Sequence, residues 1–235
     1  MPVLEFDHVH FGYTPDNQTL HDICFRLEEG KIYALVGPTG GGKTTTASLI
    51  AGLYKTTKGE IRLFEKPISS YSAHEKSEII GFILQEPFMF SDTVGNNIRY
   101  GNSKLNDTTD AELQKILDSI GLVKLLSTFE DGLSTSISNE TESLSLGQKQ
   151  LIAFSRVILR QPKILILDEA TANIDTVTEQ ILTKIIDSLP LSTTKVVIAH
   201  RLNTIKYADQ IFFINDGRIK AAQDFEDAVR LVEKG

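Results

Sequence analysis

Apolar and polar positions alternate from Val3 to Phe11, the period-two pattern of a strand with one buried face. Ile23–Leu27 reads as a second strand, Glu29-Gly30 as a turn, and Ile32–Val36 as a short, near-continuous apolar strand. Gly37–Gly42 is glycine-rich, and Thr44–Leu53 reads as a helix. Gly59–Leu63 and Ile79–Leu84 are further strand candidates. From Ser91 to Leu159 the texture changes. Thr109-x-x-Glu112 is a capping box ahead of Leu113, Ile116, Leu117 and Ile120 at helical spacing, and a second helix is predicted over Gly147–Leu159. Strand character returns at Ile164–Leu167. Val177, Ile181, Leu182, Ile185, Ile186 and Leu189 then form one apolar stripe with Asp175 as N-cap. Lys195–Ala199 and Gln210–Ile214 are strands, Asp216-Gly217 is a hairpin turn into Arg218–Ala222, and Asp224–Glu233 closes as a helix. Strands alternating with helices predict an α/β fold: a mainly parallel sheet, antiparallel β strands near the N-terminus, and an inserted α-helical lobe. The expected organisation is a single domain over 1–235, its core at 1–85 and 160–235 and its lobe at 86–159.

The chain's 235 residues, 41% of them apolar, suffice for such a core. No apolar run approaches the roughly 18–20 residues of a membrane helix. The most apolar stretch, Ile164–Leu167, runs straight into Asp168 and Glu169. With no signal-peptide pattern after Met1, the expectation is a soluble, cytosolic polypeptide whose membrane part lies on another chain or a missing piece. A net charge of −7 without a run of Lys or Arg argues against a nucleic-acid surface. Cys24 is the only cysteine, which excludes a disulfide framework and a cysteine zinc site; it reads as a small buried hydrophobe on a strand.

Candidate chemistry begins at Gly37-Pro38-Thr39-Gly40-Gly41-Gly42-Lys43-Thr44, which matches G-x-x-x-x-G-K-[S/T] between a predicted strand and a predicted helix. Backbone N–H groups can wrap a triphosphate only where side chains stay out of the way, and glycine meets that need. The following helix aims its free N–H groups and positive dipole end at the phosphates. Lys43 is expected to reach the β- and γ-phosphates, Thr44 to ligate Mg²⁺, and Thr45 to help hold a phosphate oxygen. Ile164–Leu167 followed by Asp168-Glu169 is then a Walker B strand in a P-loop NTPase core. Asp168 is suited to holding Mg²⁺ through water, and Glu169 to polarising the attacking water as general base.

Leu144-Ser145-Leu146-Gly147-Gln148 resembles the LSGGQ signature of ABC ATPases, and its spacing through Lys149-Gln150-Leu151 and Arg156 to the second carboxylate motif is similar to that family. The other landmarks follow in order over essentially the whole chain. Tyr13 resembles the aromatic that stacks on adenine. Gln85 resembles the Q-loop glutamine near Mg²⁺ and the coupling surface. Ala172-Asn173-Ile174-Asp175 looks like the D-loop, and His200 like the switch histidine that senses the γ-phosphate. Ser91–Gly101 and Ala199–Ile205, followed by Ala208-Asp209, look like the exporter branch. The resemblance implies ATP and Mg²⁺ as ligands. It implies a second nucleotide-binding domain as partner, in a homo- or heterodimer whose Ser145, Gly147 and Gln148 contact the partner's ATP. It also implies membrane domains on the same or another chain, and a location at the cytoplasmic face of a membrane.

Two departures stand out. Leu146 replaces the signature's first glycine, and Asn139 stands where exporters carry a glutamate. The first is compatible with a heterodimer in which this subunit lends the weaker signature, or with simple tolerance of leucine. Three rivals remain weaker. A soluble ABC ATPase of translation or chromosome maintenance would bring a second cassette or a long coiled coil. A P-loop kinase would leave the signature and His200 unexplained together. A non-hydrolysing regulatory module would not need Glu169 and His200.

Overall fold

The structure is a computed structural model that describes residues 2–122, 126–138, 144–168, 176–187, 189–199 and 206–234. It divides into two compact units.

The first unit comprises Met1–Phe82, Pro162–Glu169 and Leu191–Gly235 and holds two sheets. The antiparallel sheet has the order β2-β1-β4-β5, from β1 (Pro2–Thr14), β2 (Asn17–Glu28), β4 (Lys58–Leu63) and β5 (Lys66–Pro67). In β1 the apolar phase slips at Asp7-His8. Phe6 pairs with Phe25 and Val9 with Ile23, so two residues of β1 face the single Cys24. This bulge keeps Leu4, Phe6, Val9 and Phe11 all on the buried face, and His8 takes φ 49° within it. Cys24 is exposed, against expectation: Ile23 and Phe25 occupy the buried face, and strand alternation turns the residue between them outward.

The second sheet has the order β10-β9-β3-β8-β7-β6. It is built from β3 (Ile32–Val36), β6 (Ile80–Ile83), β7 (Ile164–Asp168), β8 (Thr194–Ile198), β9 (Gln210–Asn215) and β10 (Arg218–Ala221). Strands β9, β3, β8 and β7 run parallel, and β10 returns antiparallel on β9. Tyr33–Val36 and Ile164–Leu167 are buried residue after residue, which is why they read as unbroken apolar runs rather than alternating ones. Helix α1 (Lys43–Ile50) packs on β2, β7 and β8. It stops short of the predicted Leu53 because Ala51 caps it and Gly52 turns left-handed at φ 65°. Helix α2 (Ala73–Ile79) was not predicted, although Ser72 and Glu75 form a full capping box; it buries no residue fully and so shows no apolar stripe. Helix α7 (Phe225–Lys234) closes the unit.

The second unit comprises Ile83–Gln161 and Ala170–Pro190. Its helices are α3 (Val94–Arg99), α4 (Asp110–Ser119), α5 (Leu146–Ile158) and α6 (Thr176–Asp187). The predicted Thr109–Glu112 capping box closes at both bonds, and Leu113 and Leu117 carry the buried face of α4. Both α3 and α6 pack on α5. The six-residue α3 is too short to leave a period in the sequence. Asp175, the expected cap of α6, lies outside the described residues. Among the described residues no helix is long and apolar enough to cross a membrane.

Candidate nucleotide-binding site

In the first unit, strand β3 delivers the chain into the loop Gly37–Gly42, and α1 begins at Lys43. The loop needs its glycines. Gly37, Gly40 and Gly42 have φ of 138°, 80° and 112°, values that side-chain-bearing residues rarely adopt. Its back is braced by the end of β9 and the turn into β10. Gly217 N donates to Gly41 O at 3.1 Å, and Gly41 N donates to Pro38 O at 3.1 Å. A Cβ on Gly37 would sit 2.0 Å from Ile214 O, and one on Gly41 2.7 Å from the same atom. The predicted Asp216-Gly217 turn therefore has a second duty, buttressing the loop, that no local sequence signal announces.

Gly37→Ala is accordingly expected to cost about 3 kcal/mol or more of stability and to abolish nucleotide binding. Gly40 meets nothing within 4 Å, so Gly40→Ala should cost only the left-handed backbone penalty, about 1–2 kcal/mol. Urea unfolding of the two variants measures the difference, and equal losses would refute the buttress.

Lys43 is 4% exposed, and its Nζ donates to Gly37 O at 2.9 Å and Pro38 O at 2.8 Å. The ammonium thus curls over the loop. Gly42 offers α1 no side-chain cap and the first turn holds no acid, so the helix's leading N–H groups and positive dipole end meet no competing anion of its own. Thr39 and Thr44 are exposed, Pro38 is half-buried, and Thr45 is buried.

Tyr13, thirty-two residues from Thr45 in sequence, comes to it in space: its hydroxyl lies 3.2 Å from Thr45 Oγ1. The ring packs edge-on against Phe11 (4.9 Å) and Tyr54 (5.3 Å) while remaining 53% exposed. Tyr54 was not foreseen; it follows the loop's helix in an apolar-poor stretch that carries no motif. Asp168 ends β7, half-buried. Because β3, β8 and β7 are parallel, it lies at the same carboxyl edge of the sheet as the loop, where open α/β sheets bind ligands. Glu169, His200 and the D-loop stretch 172–175 lie outside the described residues, as does Asn139.

In the second unit, Ser145 is the N-cap of α5. Its Oγ accepts from Gln148 N at 3.2 Å, and Ser145 N donates to Gln148 Oε1 at 2.9 Å. Gln148 Nε2 also donates to Thr128 O at 2.7 Å. The capping box closes around Leu146, which is half-buried, while Gly147 is buried. Gln85 is exposed on the segment after β6. Arg156 tethers the following stretch: it donates to Asn97 O (2.7 Å), Asn97 Oδ1 (3.0 Å) and Phe88 O (3.1 Å) and lies over the rings of Phe90 and Tyr100. Burial, with Arg160 nearby, pushes this guanidinium down to about 10, still a cation at neutral pH.

Comparison with known proteins sets these features in a family. A family model for ABC transporters matches residues 20–172. A multidrug resistance ABC transporter ATP-binding and permease protein of Lactococcus lactis subsp. cremoris (strain MG1363) is 38% identical over 226 residues, 96% of this chain and 38% of that protein. ATP-binding cassette sub-family B member 6 of Rattus norvegicus is 37% identical over 216 residues, 92% of this chain and 26% of that protein. The solved structure of a bacterial Atm1-family ABC exporter with ATP bound superposes at a TM-score of 0.85, with 31% identity, over 100% of this chain and 40% of its own. The chain thus spans between 26% and 40% of the length of these relatives. It belongs to the ABC transporter family and has the P-loop NTPase fold.

Proposed function

We propose that this chain is the ATP-binding and ATP-hydrolysing domain of an ABC transporter of the exporter type, working at the cytoplasmic face of a membrane. The observation that carries this reading is the glycine loop ahead of α1, with its uncapped N-terminus, the buried Lys43 and Tyr13 beside Thr45. The loop is a cradle for phosphates: its glycines leave the backbone open, and Gly40 faces free space. Tyr13 is suited to stacking on adenine, and its Thr45 contact fixes the ring at the loop's side.

Thr44 and Asp168 offer the hard oxygen donors that Mg²⁺ takes, and the family resemblance adds Gln85. When bound, the ion neutralises phosphate charge. In hydrolysis the water oxygen attacks the γ-phosphorus, the bond to the β–γ bridging oxygen breaks, and Glu169 receives the water's proton. Lys43 holds the β- and γ-oxygens, and His200 reports the γ-phosphate. The similarity to an exporter solved with ATP supports this assignment.

The active form in this reading is a head-to-tail pair of such domains. Ser145, Gly147 and the N-terminus of α5 contact the partner's γ-phosphate; the Ser145 hydroxyl, already accepting from Gln148 N, keeps its own O–H free to donate. ATP closes the pair, hydrolysis releases it, and attached membrane helices follow. No nucleic acid takes part. The test is light scattering on a Glu169→Gln chain saturated with MgATP. A doubled mass that reverts with ADP supports the homodimer, doubling only after Leu146→Gly assigns the heterodimer, and an unchanged mass in both contradicts the pairing.

A further inference from the structure

Helix α5 grips the chain after β6 at two points, both within the second unit. Arg156 is the later one, and its donors meet Phe88 and Asn97 as described above. Gln150 is the earlier one: it is 1% exposed and shares its Nε2 between Leu84 O at 3.1 Å and Gln85 O at 2.5 Å. Its Oε1 is buried and has no hydrogen-bond partner among the described residues. A buried acceptor left idle is unfavourable, and each such atom calls for a reason. Methionine would fill nearly the same space without that orphan, but also without a donor for Leu84 O and Gln85 O. What glutamine adds is one contact, the hold of Nε2 on two successive carbonyls of the backbone that carries Gln85.

We propose that Gln150 is a positioning residue for Gln85. Its carboxamide pins Leu84 and Gln85 to the helix that begins at Ser145, so the direction of the Gln85 side chain is set by the signature helix. The idle Oε1 supplies the second half of the device. A carboxamide that holds carbonyls through Nε2 can hold an N–H through Oε1. Gln150 can therefore keep its grip when the Gln85 stretch rearranges, exchanging acceptors for donors. This inference rests on the reading that Gln85 acts in ATP hydrolysis.

The experiment is Gln150→Met in the intact protein, beside Gln85→Ala, with two readouts. Without nucleotide, limited proteolysis in the exposed stretch Leu84–Glu86 should accelerate about tenfold, while cleavage in α4 stays at the wild-type rate. In steady state kcat should fall about fivefold to tenfold with KM for ATP within about twofold, the split expected when positioning rather than binding is lost. The melting temperature should change little, because the orphan acceptor goes while the two carbonyls that lose their donor lie on an exposed stretch. Wild-type cleavage in Leu84–Glu86 would overturn the proposal, and so would faster cleavage across the whole unit with a falling melting temperature. If Gln85→Ala leaves kcat intact, the underlying reading of Gln85 has failed. If Gln85→Ala lowers kcat and Gln150→Met does not, the positioning proposal alone has failed.

Discussion

Glu169→Gln is expected to slow ATP hydrolysis by about 10²–10⁴-fold, the usual contribution of a positioned general base, while MgATP binds as tightly as before or tighter. The reason lies in β7. Its last residue, Asp168, stands at the same carboxyl edge of the sheet from which the phosphate loop leaves. In the proposed reading the two adjacent carboxylates take two tasks, Asp168 serving the metal and Glu169, which lies outside the described residues, the water. Glutamine keeps the volume and the ability to orient a water but cannot accept its proton. It also removes a negative charge near the γ-phosphate, which favours rather than opposes binding. Single-turnover hydrolysis beside equilibrium binding separates the two effects. A variant that hydrolyses within about tenfold of the wild type would mean that the base lies elsewhere.

Lys43→Ala should act on the other side of that division, raising the Kd for MgATP by about 100-fold, the loss of two charge-assisted bonds of about 1.5 kcal/mol each. The ammonium is nearly buried and already oriented, donating to Gly37 O and Pro38 O from the first residue of α1. It is thereby held at the loop before any phosphate arrives, so little side-chain entropy remains to be lost on binding. Removing it takes away the phosphate contacts and leaves two loop carbonyls without their donor. The loop should loosen as affinity falls, which faster proteolysis near Gly37–Gly42 would report. Lys43→Arg should not rescue binding, since a guanidinium fork does not fit a cradle shaped for a point charge. Titration calorimetry with MgATP is the measurement, and an unchanged Kd would remove Lys43 from the site.

The strength with which each part could be read from the sequence follows its physics. The phosphate loop was legible because its chemistry forces residue types: glycines at left-handed angles, a lysine, and a strand and helix on either side. The parallel strands were legible because burial on both faces leaves unbroken apolar runs at Ile32–Val36 and Ile164–Leu167. The α4 capping box, Thr109–Glu112, reads correctly because a cap is a local bond. The same box at Ser72–Glu75 passed unnoticed because no apolar stripe followed it. What stayed hidden was tertiary. The division of strands into two sheets, the brace of Gly217 and Ile214 behind the loop, Tyr54 against Tyr13, and the hold of Gln150 on Gln85 all join residues far apart in sequence. At Cys24 residue type and strand phase disagree: a cysteine favours burial, and the phase of β2 turns it outward.

The steady-state rate of ATP hydrolysis per subunit, measured against protein concentration for wild type beside Glu169→Gln, tests the proposed ATPase and its pairing together. If subunits pair around ATP to hydrolyse it, the rate climbs with concentration to a plateau and collapses in the variant at every concentration. A rate per subunit that is flat with concentration and unchanged by Glu169→Gln would contradict both.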